Sequence, residues 1–383
     1  MTVTAPQGFR AAGVAAGLKS SGAPDVALVV NDGPDDAAAA VFTTNRFPAA
    51  PVLWSRQALA DHRLRAVVLN SGGANACTGP EGFGDTHATA EHVAAQLGIG
   101  AVDVAVASTG LIGVRLPMDA LLAGVGAAVA GLSADGGPDA ARAIMTTDSV
   151  PKTTVQTGDG WTIGGMAKGA GMLAPSLATM LVVLTTDAVV PAEVLQPALQ
   201  AATSVSVERV DSDGCLSTND TVIVLANGAS GVTPSAEEFT AALTAAATDL
   251  AMQLLADAEG STKDIAITVR NAASVADAVT AGRACARNNL LKTALFGNDP
   301  NWGRVLAAIG TTDAQFEPDQ VDVTINGVTV CRAGAIGDPR EGVDLSGRAI
   351  TIDVDLRAGT EQATIWTNDL SLAYVHENSA YST

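Results

Sequence analysis

The chain has 383 residues and carries a formal charge of −19 at neutral pH. That field repels phosphate backbones and anionic membrane surfaces, and no local Lys/Arg cluster interrupts it, so nucleic acid and membrane are excluded as natural partners. With 48% hydrophobic, 16% charged and only 3% aromatic residues, disorder is excluded too, and the interior must be built largely from Ala, Val and Leu.

In chain order, short β-like runs alternate with Ala-rich helical ones. VALVV (26–30) and RAVVLN (65–70) read as strands, DTHATAEHVAAQLG (85–98) as a helix, VDVAVAST (102–109) as a strand, and PMDALLAGVGAAVAGL as a helix begun by Pro117. Segment 156–178 is dense in glycine; it cannot be regular helix and reads as an exposed or strained connector. Beyond it, 236–258 is a long amphipathic helix, 263–270 a strand and 274–296 a helix. Stretch 321–336 carries a hairpin-like Asn326-Gly327, and two further runs after it alternate with period two. The fold class is therefore α/β with a strand-rich C-terminal part.

The longest uncharged apolar stretch, ALLAGVGAAVAGL at 120–132, falls short of the roughly 20 residues needed to span a bilayer. The Gly-rich segment after Arg10 is no secretory leader. Both point to a soluble cytoplasmic protein. Cys77, Cys215, Cys285 and Cys331 form no C-x-x-C pair, which predicts reduced, mostly packed thiols.

Most familiar chemistries fail on residue type. His62, His87, His92 and His376 sit in no hydrolase motif and there is no G-x-S-x-G elbow, so surface or capping roles suit them. Lys168 is followed by Gly169 and Ala170, which breaks the phosphate-loop pattern. VDSDGCLSTND (210–220) has three Asp without calcium-loop spacing and reads as a solvated turn. What remains is a nucleophile that supplies its own base. Cleavage of the Ala178–Thr179 bond would give Thr179 a free α-amine, with a pKa near ~8, beside its own hydroxyl. ASTGLIG (107–113) ends a strand at a Thr109-Gly110 turn, where a hydroxyl and a backbone N–H could converge on an oxyanion. From these residues alone, a strand threonine with no chemistry stays open.

Taken together, AVFTTNRFPAAPV (40–52), LNSGGANACTG (69–79), ASTGLIGVRLPM (107–118), AIMTTDSVPK (143–152), GMAKGAGMLAPSLATML (165–181), DSDGCLSTND (211–220), KTALFGNDPNWGRVLAAIG (292–310) and the terminal HENSAYST resemble the ornithine acetyltransferase family nearly end to end. These are the bifunctional glutamate N-acetyltransferases of cyclic arginine biosynthesis. The resemblance implies a self-processing fold of sheets packed on helices, cut into 1–178 and 179–383, the pieces assembling as α2β2. It implies Thr179 as acyl-carrying nucleophile and Thr109 with Gly110 as oxyanion hole. Substrate contacts fall on Thr146 rather than its neighbour Thr147, on Lys168, Thr179 and Glu259, and on Asn378 and Thr383. The substrates implied are N-acetylornithine and glutamate, with no metal or organic cofactor; no nucleotide motif decides whether acetyl-CoA also donates. Gly73 and the pair Cys215-Leu216 depart from what relatives often carry. Two rivals stay open: a related self-processing aminopeptidase or amidohydrolase, and a non-catalytic binding protein.

Overall fold

A computed structural model describes residues 2–172 and 180–380 of the chain. Two sheets stack face to face. The first contains β1 (Phe9–Val14), β2 (Val26–Asn31), β4 (Ala66–Ser71) and β5 (Val104–Thr109) in that order, the last pair parallel. The second runs β3 (Ala37–Phe42), β9 (Thr221–Ala226), β8 (Leu181–Thr186), β7 (Thr162–Lys168) and β6 (Lys152–Thr157), with β8 and β9 parallel.

Side chains that alternate along these strands separate two environments. Val67 and Leu69 of β4 meet Leu181 and Val183 of β8 and Ile223 and Leu225 of β9 in the core between the sheets. Their neighbours face outward. Ala66 and Val68 pack under the helices Gly79–Leu97 and Met118–Ala130, while Val182 and Leu184 pack under Ala192–Ser204 and Ala236–Ala256. The result is a helix–sheet–sheet–helix sandwich. Strands buried on both faces explain why VALVV and MLVVL read as unbroken apolar runs instead of alternating ones.

A third sheet holds the C-terminal part, in the order β13 (Ala335–Ile336), β12 (Val328–Arg332), β11 (Asp322–Ile325), β14 (Ala349–Asp355), β10 (Asp264–Ala272) and β15 (Glu361–Asn368). It packs on helices Val275–Ala286 and Asn289–Phe296 around Ile265, Ile267, Ile352 and Ile365. The predicted α/β class and the strand-rich C-terminal part are both present.

Three expectations are corrected. The single helix expected over 274–296 is two, because Asn288 caps the second by accepting the Leu291 N–H at 2.9 Å. Much of the glycine-dense segment is not an exposed connector: β7 lies inside the second sheet between β6 and β8. Its Gly164 sits where a Cβ would come within 2.2 Å of the Thr2 carbonyl oxygen, so the glycine serves close packing. Nor are the thiols mostly packed: Cys285 and Cys331 are buried, whereas Cys77 and Cys215 are exposed.

Helix Ala236–Ala256 is long and apolar enough to cross a bilayer by length and composition. Its Phe239, Leu243, Leu250 and Leu254 are instead buried in the core beneath the second sheet. That face accounts for its hydrophobicity.

Candidate active site

Several strand ends of the two stacked sheets meet at one edge of the sandwich. β5 stops there at Thr109 and β7 at Lys168, while β8 starts at Leu181 and β9 at Thr221. A cleft opens over this seam, lined among others by Thr109, Gly110, Thr146, Thr147, Glu259 and Asn378. The sequence spreads these residues over about 270 positions, and only the tertiary fold, which adds helix Leu372–Ala380 and two loops to the strand ends, brings them together. Ala178, Thr179 and Thr383 lie outside the described residues. Of the flanks of the 173–179 segment, Met172 lines the cleft, and Met180 is buried in the core.

The Thr109-Gly110 turn is built tightly. The N–H groups of Gly72 and Gly73 both donate to the Thr109 carbonyl at 3.0 Å, fixing the turn against the loop after β4. Gly110 has φ +131°, a region L side chains rarely adopt, and a Cβ there would lie 2.6 Å from the Gly73 nitrogen. Gly73, one of the departures, thus fits a loop pressed against the turn.

Asn219 is a site residue that sequence reasoning missed. It lines the cleft, and its side-chain amide donates to the carbonyls of Ala74 (2.6 Å) and Ser108 (2.8 Å), clamping the turn to the loop before β9. Only its place in a quoted motif, STND, marked it. The Asp-rich turn is also corrected: Asp211 and Asp220 are fully buried, not solvated. Asp211 pairs with Arg287 at 2.8 Å. Asp220 accepts the Met180 N–H at 3.1 Å, and burial pushes its carboxyl well above the usual range despite that bond and nearby Lys168.

Lys168 is 2% exposed, and its ammonium donates to the Thr109 hydroxyl at 3.4 Å. Burial lowers its pKa, opposed by Asp148 and, less strongly, by Glu259 and Asp220. On the other wall Glu259 accepts from the Asn378 amide at 3.0 Å. Thr146 is exposed and Thr147 half-buried, and both line the cleft. A buried cation thus lies behind the Thr109 turn, while a carboxylate and an amide line the cleft itself. None of His62, His87, His92 or His376 lines the cleft; the His87 ring packs at a tilt against Trp54, centroids 4.9 Å apart. Among the described residues no His/Cys/Asp/Glu group could hold a metal.

The ArgJ family model matches residues 10–383. The chain belongs to the ArgJ family. It is 66% identical over its whole length to the arginine biosynthesis bifunctional protein ArgJ of Streptomyces avermitilis and 64% identical to that of Thermobifida fusca, covering all of each. Among solved structures, a chain of the Mycobacterium tuberculosis ornithine acetyltransferase complexed with ornithine is 67% identical. It covers 46% of this chain and 96% of its own length, with a TM-score of 0.46.

Proposed function

We propose that this member of the ArgJ family transfers the acetyl group of N2-acetylornithine to glutamate through an acetyl-threonine intermediate, as a step of arginine biosynthesis in the cytoplasm. The observation that carries this reading is the convergence of Thr109, Gly110, Thr146, Glu259 and Asn378 on one cleft, with Lys168 behind it and Met172, the residue before the 173–179 segment, at its wall. The identity of its relatives as bifunctional arginine-biosynthesis proteins supports it.

In this scheme the chain cleaves itself at Ala178–Thr179, and the fragments 1–178 and 179–383 stay together and pair as α2β2. The liberated α-amine of Thr179 takes the proton from its own hydroxyl, and Oγ attacks the acetyl carbonyl. The Thr109 hydroxyl and the Gly110 N–H receive the oxyanion. Ornithine departs, and the amine of glutamate takes the acetyl group from the threonine ester.

Lys168 pairs with the α-carboxylate shared by both amino acids, and Glu259 with the ornithine side-chain ammonium. Thr146, Asn378 and Thr383 supply polar anchors. Because both substrates share an amino-acid backbone, one site serves both half-reactions. Seating glutamate there excludes water from the ester and favours transfer over hydrolysis. Acetyl-CoA serves as a second donor if the enzyme is bifunctional like its named relatives.

The test is direct. Intact-mass analysis of the purified protein is expected to show two fragments, and Thr179→Ala a single folded chain with no transferase activity. Ornithine release from acetylornithine is expected to depend on glutamate. A single uncut chain with full activity, or release indifferent to glutamate, would overturn the reading.

A further inference from the structure

The stretch AIMTTDSVPK contributes Thr146 and Thr147 to the cleft, but its Asp148 and Lys152 do not line it. Lys152 is 0% exposed, and a fully buried lysine survives only when its charge is met. Its ammonium donates to Asp148 Oδ1 at 2.6 Å and to Asp257 Oδ2 at 2.6 Å. Asp148 is used from four sides. Besides Lys152, Oδ1 accepts the Gly169 N–H at 2.7 Å, while Oδ2 accepts the Thr146 N–H at 2.9 Å and lies 3.9 Å from the Lys168 ammonium. Asp257 in turn accepts the Ser149 N–H at 3.0 Å. It lies two residues before Glu259, whose own N–H donates to the Ala170 carbonyl at 3.0 Å.

Three separate elements are thereby locked together: the loop carrying Thr146, the end of β7 carrying Lys168, and the end of the long helix preceding Glu259. Each presents one of the residues assigned above to the substrate. We infer that the Asp148–Lys152 pair is a positioning device that holds Thr146 and Lys168 in register with each other and keeps Lys168 as the ammonium that receives the substrate carboxylate. The inference rests on the substrate role given to Lys168.

Electrostatics agree in sign. Burial alone would raise the Asp148 carboxyl, but Lys168, Lys152 and the Gly169 amide outweigh it and hold it at about 2. Asp148 is therefore a full anion at neutral pH, opposing the desolvation of Lys168, whereas Lys152 works against the second ammonium. Among the described residues, the other charged groups facing Lys168 are Glu259 and Asp220, and Lys19 feels it from the N-terminal side. Opposite changes to the pair must then move Lys168 in opposite directions.

The experiment measures kcat and KM for acetylornithine across pH in the processed enzyme, in Asp148→Asn, Lys152→Met and Lys168→Met. Activity that needs the Lys168 ammonium is lost as pH rises through its pKa. In Asp148→Asn the alkaline limb of kcat/KM is expected to fall by ~1 pH unit or more, and in Lys152→Met to rise, as expected for a charge removed from a neighbour a few ångströms away. KM is expected to rise in Asp148→Asn by more than kcat falls.

Active variants whose alkaline limbs do not move, or move the same way, would overturn the inference, since general loosening of the fold cannot produce opposed shifts. Should Asp148→Asn prove too unstable to isolate, the direction of the shift in Lys152→Met alone decides. A Lys168→Met enzyme with unaltered KM and pH profile would instead refute the substrate role of Lys168, and the inference with it.

Discussion

Replacing Gly110 by alanine tests the oxyanion turn with a single methyl group. Two costs follow from the structure. At φ +131° the backbone is strained for any L side chain, worth ~1–3 kcal/mol. The added Cβ would also fall 2.6 Å from the Gly73 nitrogen and 3.0 Å from Gly72 C and Gly73 Cα. Those neighbours are backbone held by two hydrogen bonds to the Thr109 carbonyl, so they cannot swing aside as a side-chain tip would. Overpacking of this kind adds ~1–3 kcal/mol. Relieving the strain requires the turn to rotate, and with it the Gly110 N–H proposed to hold the oxyanion. Loss of one oxyanion donor costs roughly 10²–10³ in kcat. Gly113→Ala is the matched control: φ is +80°, nothing lies within 4 Å of its Cβ, and it does not line the cleft. Steady-state transfer assays on the two-fragment form, with thermal melts alongside, are expected to show both variants destabilised but only Gly110→Ala crippled in kcat. A Gly110→Ala enzyme that turns over within a few-fold of the parent would refute the oxyanion assignment.

Asn219→Ala strands the carbonyls of Ala74 and Ser108 beneath the same turn; at ~1–3 kcal/mol per unsatisfied buried group, a drop of several kcal/mol should appear in urea denaturation. Glu259→Gln keeps the shape and the contact with Asn378 but removes the charge. KM for acetylornithine is expected to rise ~10–100-fold, the worth of a charge-assisted hydrogen bond, and an unchanged KM would remove Glu259 from the ammonium site. The Asp148 carboxyl is depressed from 3.8 to about 2 in the fold, so its stabilisation is fully present above pH 3.8 and lost as pH falls through 2. Acid titrations of unfolding should show this loss in the parent and not in Asp148→Asn. An aromatic disulfide reagent should label Cys77 and Cys215 rapidly in the native protein and reach Cys285 and Cys331 only after denaturation. Slow reaction at Cys215 relative to Cys77 would fit the raised pKa that burial and Asp213 give its thiol.

How much of this was legible in the sequence depended on the range of the cause. Strands β2, β4 and β8 are buried on both faces, so their apolar runs announced them. Helix Ala236–Ala256 was equally plain because its Ser235–Glu238 capping box and amphipathic face are local features. β7 was misread for the opposite reason. Gly164 and Gly165 there answer to Thr2, Leu184 and Thr154, partners set by the stacking of elements, and no local rule distinguishes a glycine admitted for close approach from one that makes a turn. Likewise the aspartates of DSDGCLSTND look solvated in isolation; Asp211 is buried because Arg287 reaches it from a helix in the C-terminal part.

The same division runs through the site. Thr109 and Gly110 were singled out by their strand-ending turn and then by the family resemblance, Thr146, Glu259 and Asn378 by the resemblance alone, and all five line the cleft. The residues that hold them there were not named, because support is a property of three-dimensional contact. Asp148 works through the backbone N–H groups of Thr146 and Gly169 and the ammonium of Lys152, and Asn219 works through two carbonyls. None of these bonds depends on the chemistry of the reaction, yet each fixes where a reacting or binding group stands. If positioning to a fraction of an ångström governs turnover here, substitutions at Asp148 and Asn219 will depress catalysis as surely as those at residues assigned to the substrate. The two classes should then separate by pH profile and stability, not by the size of the loss.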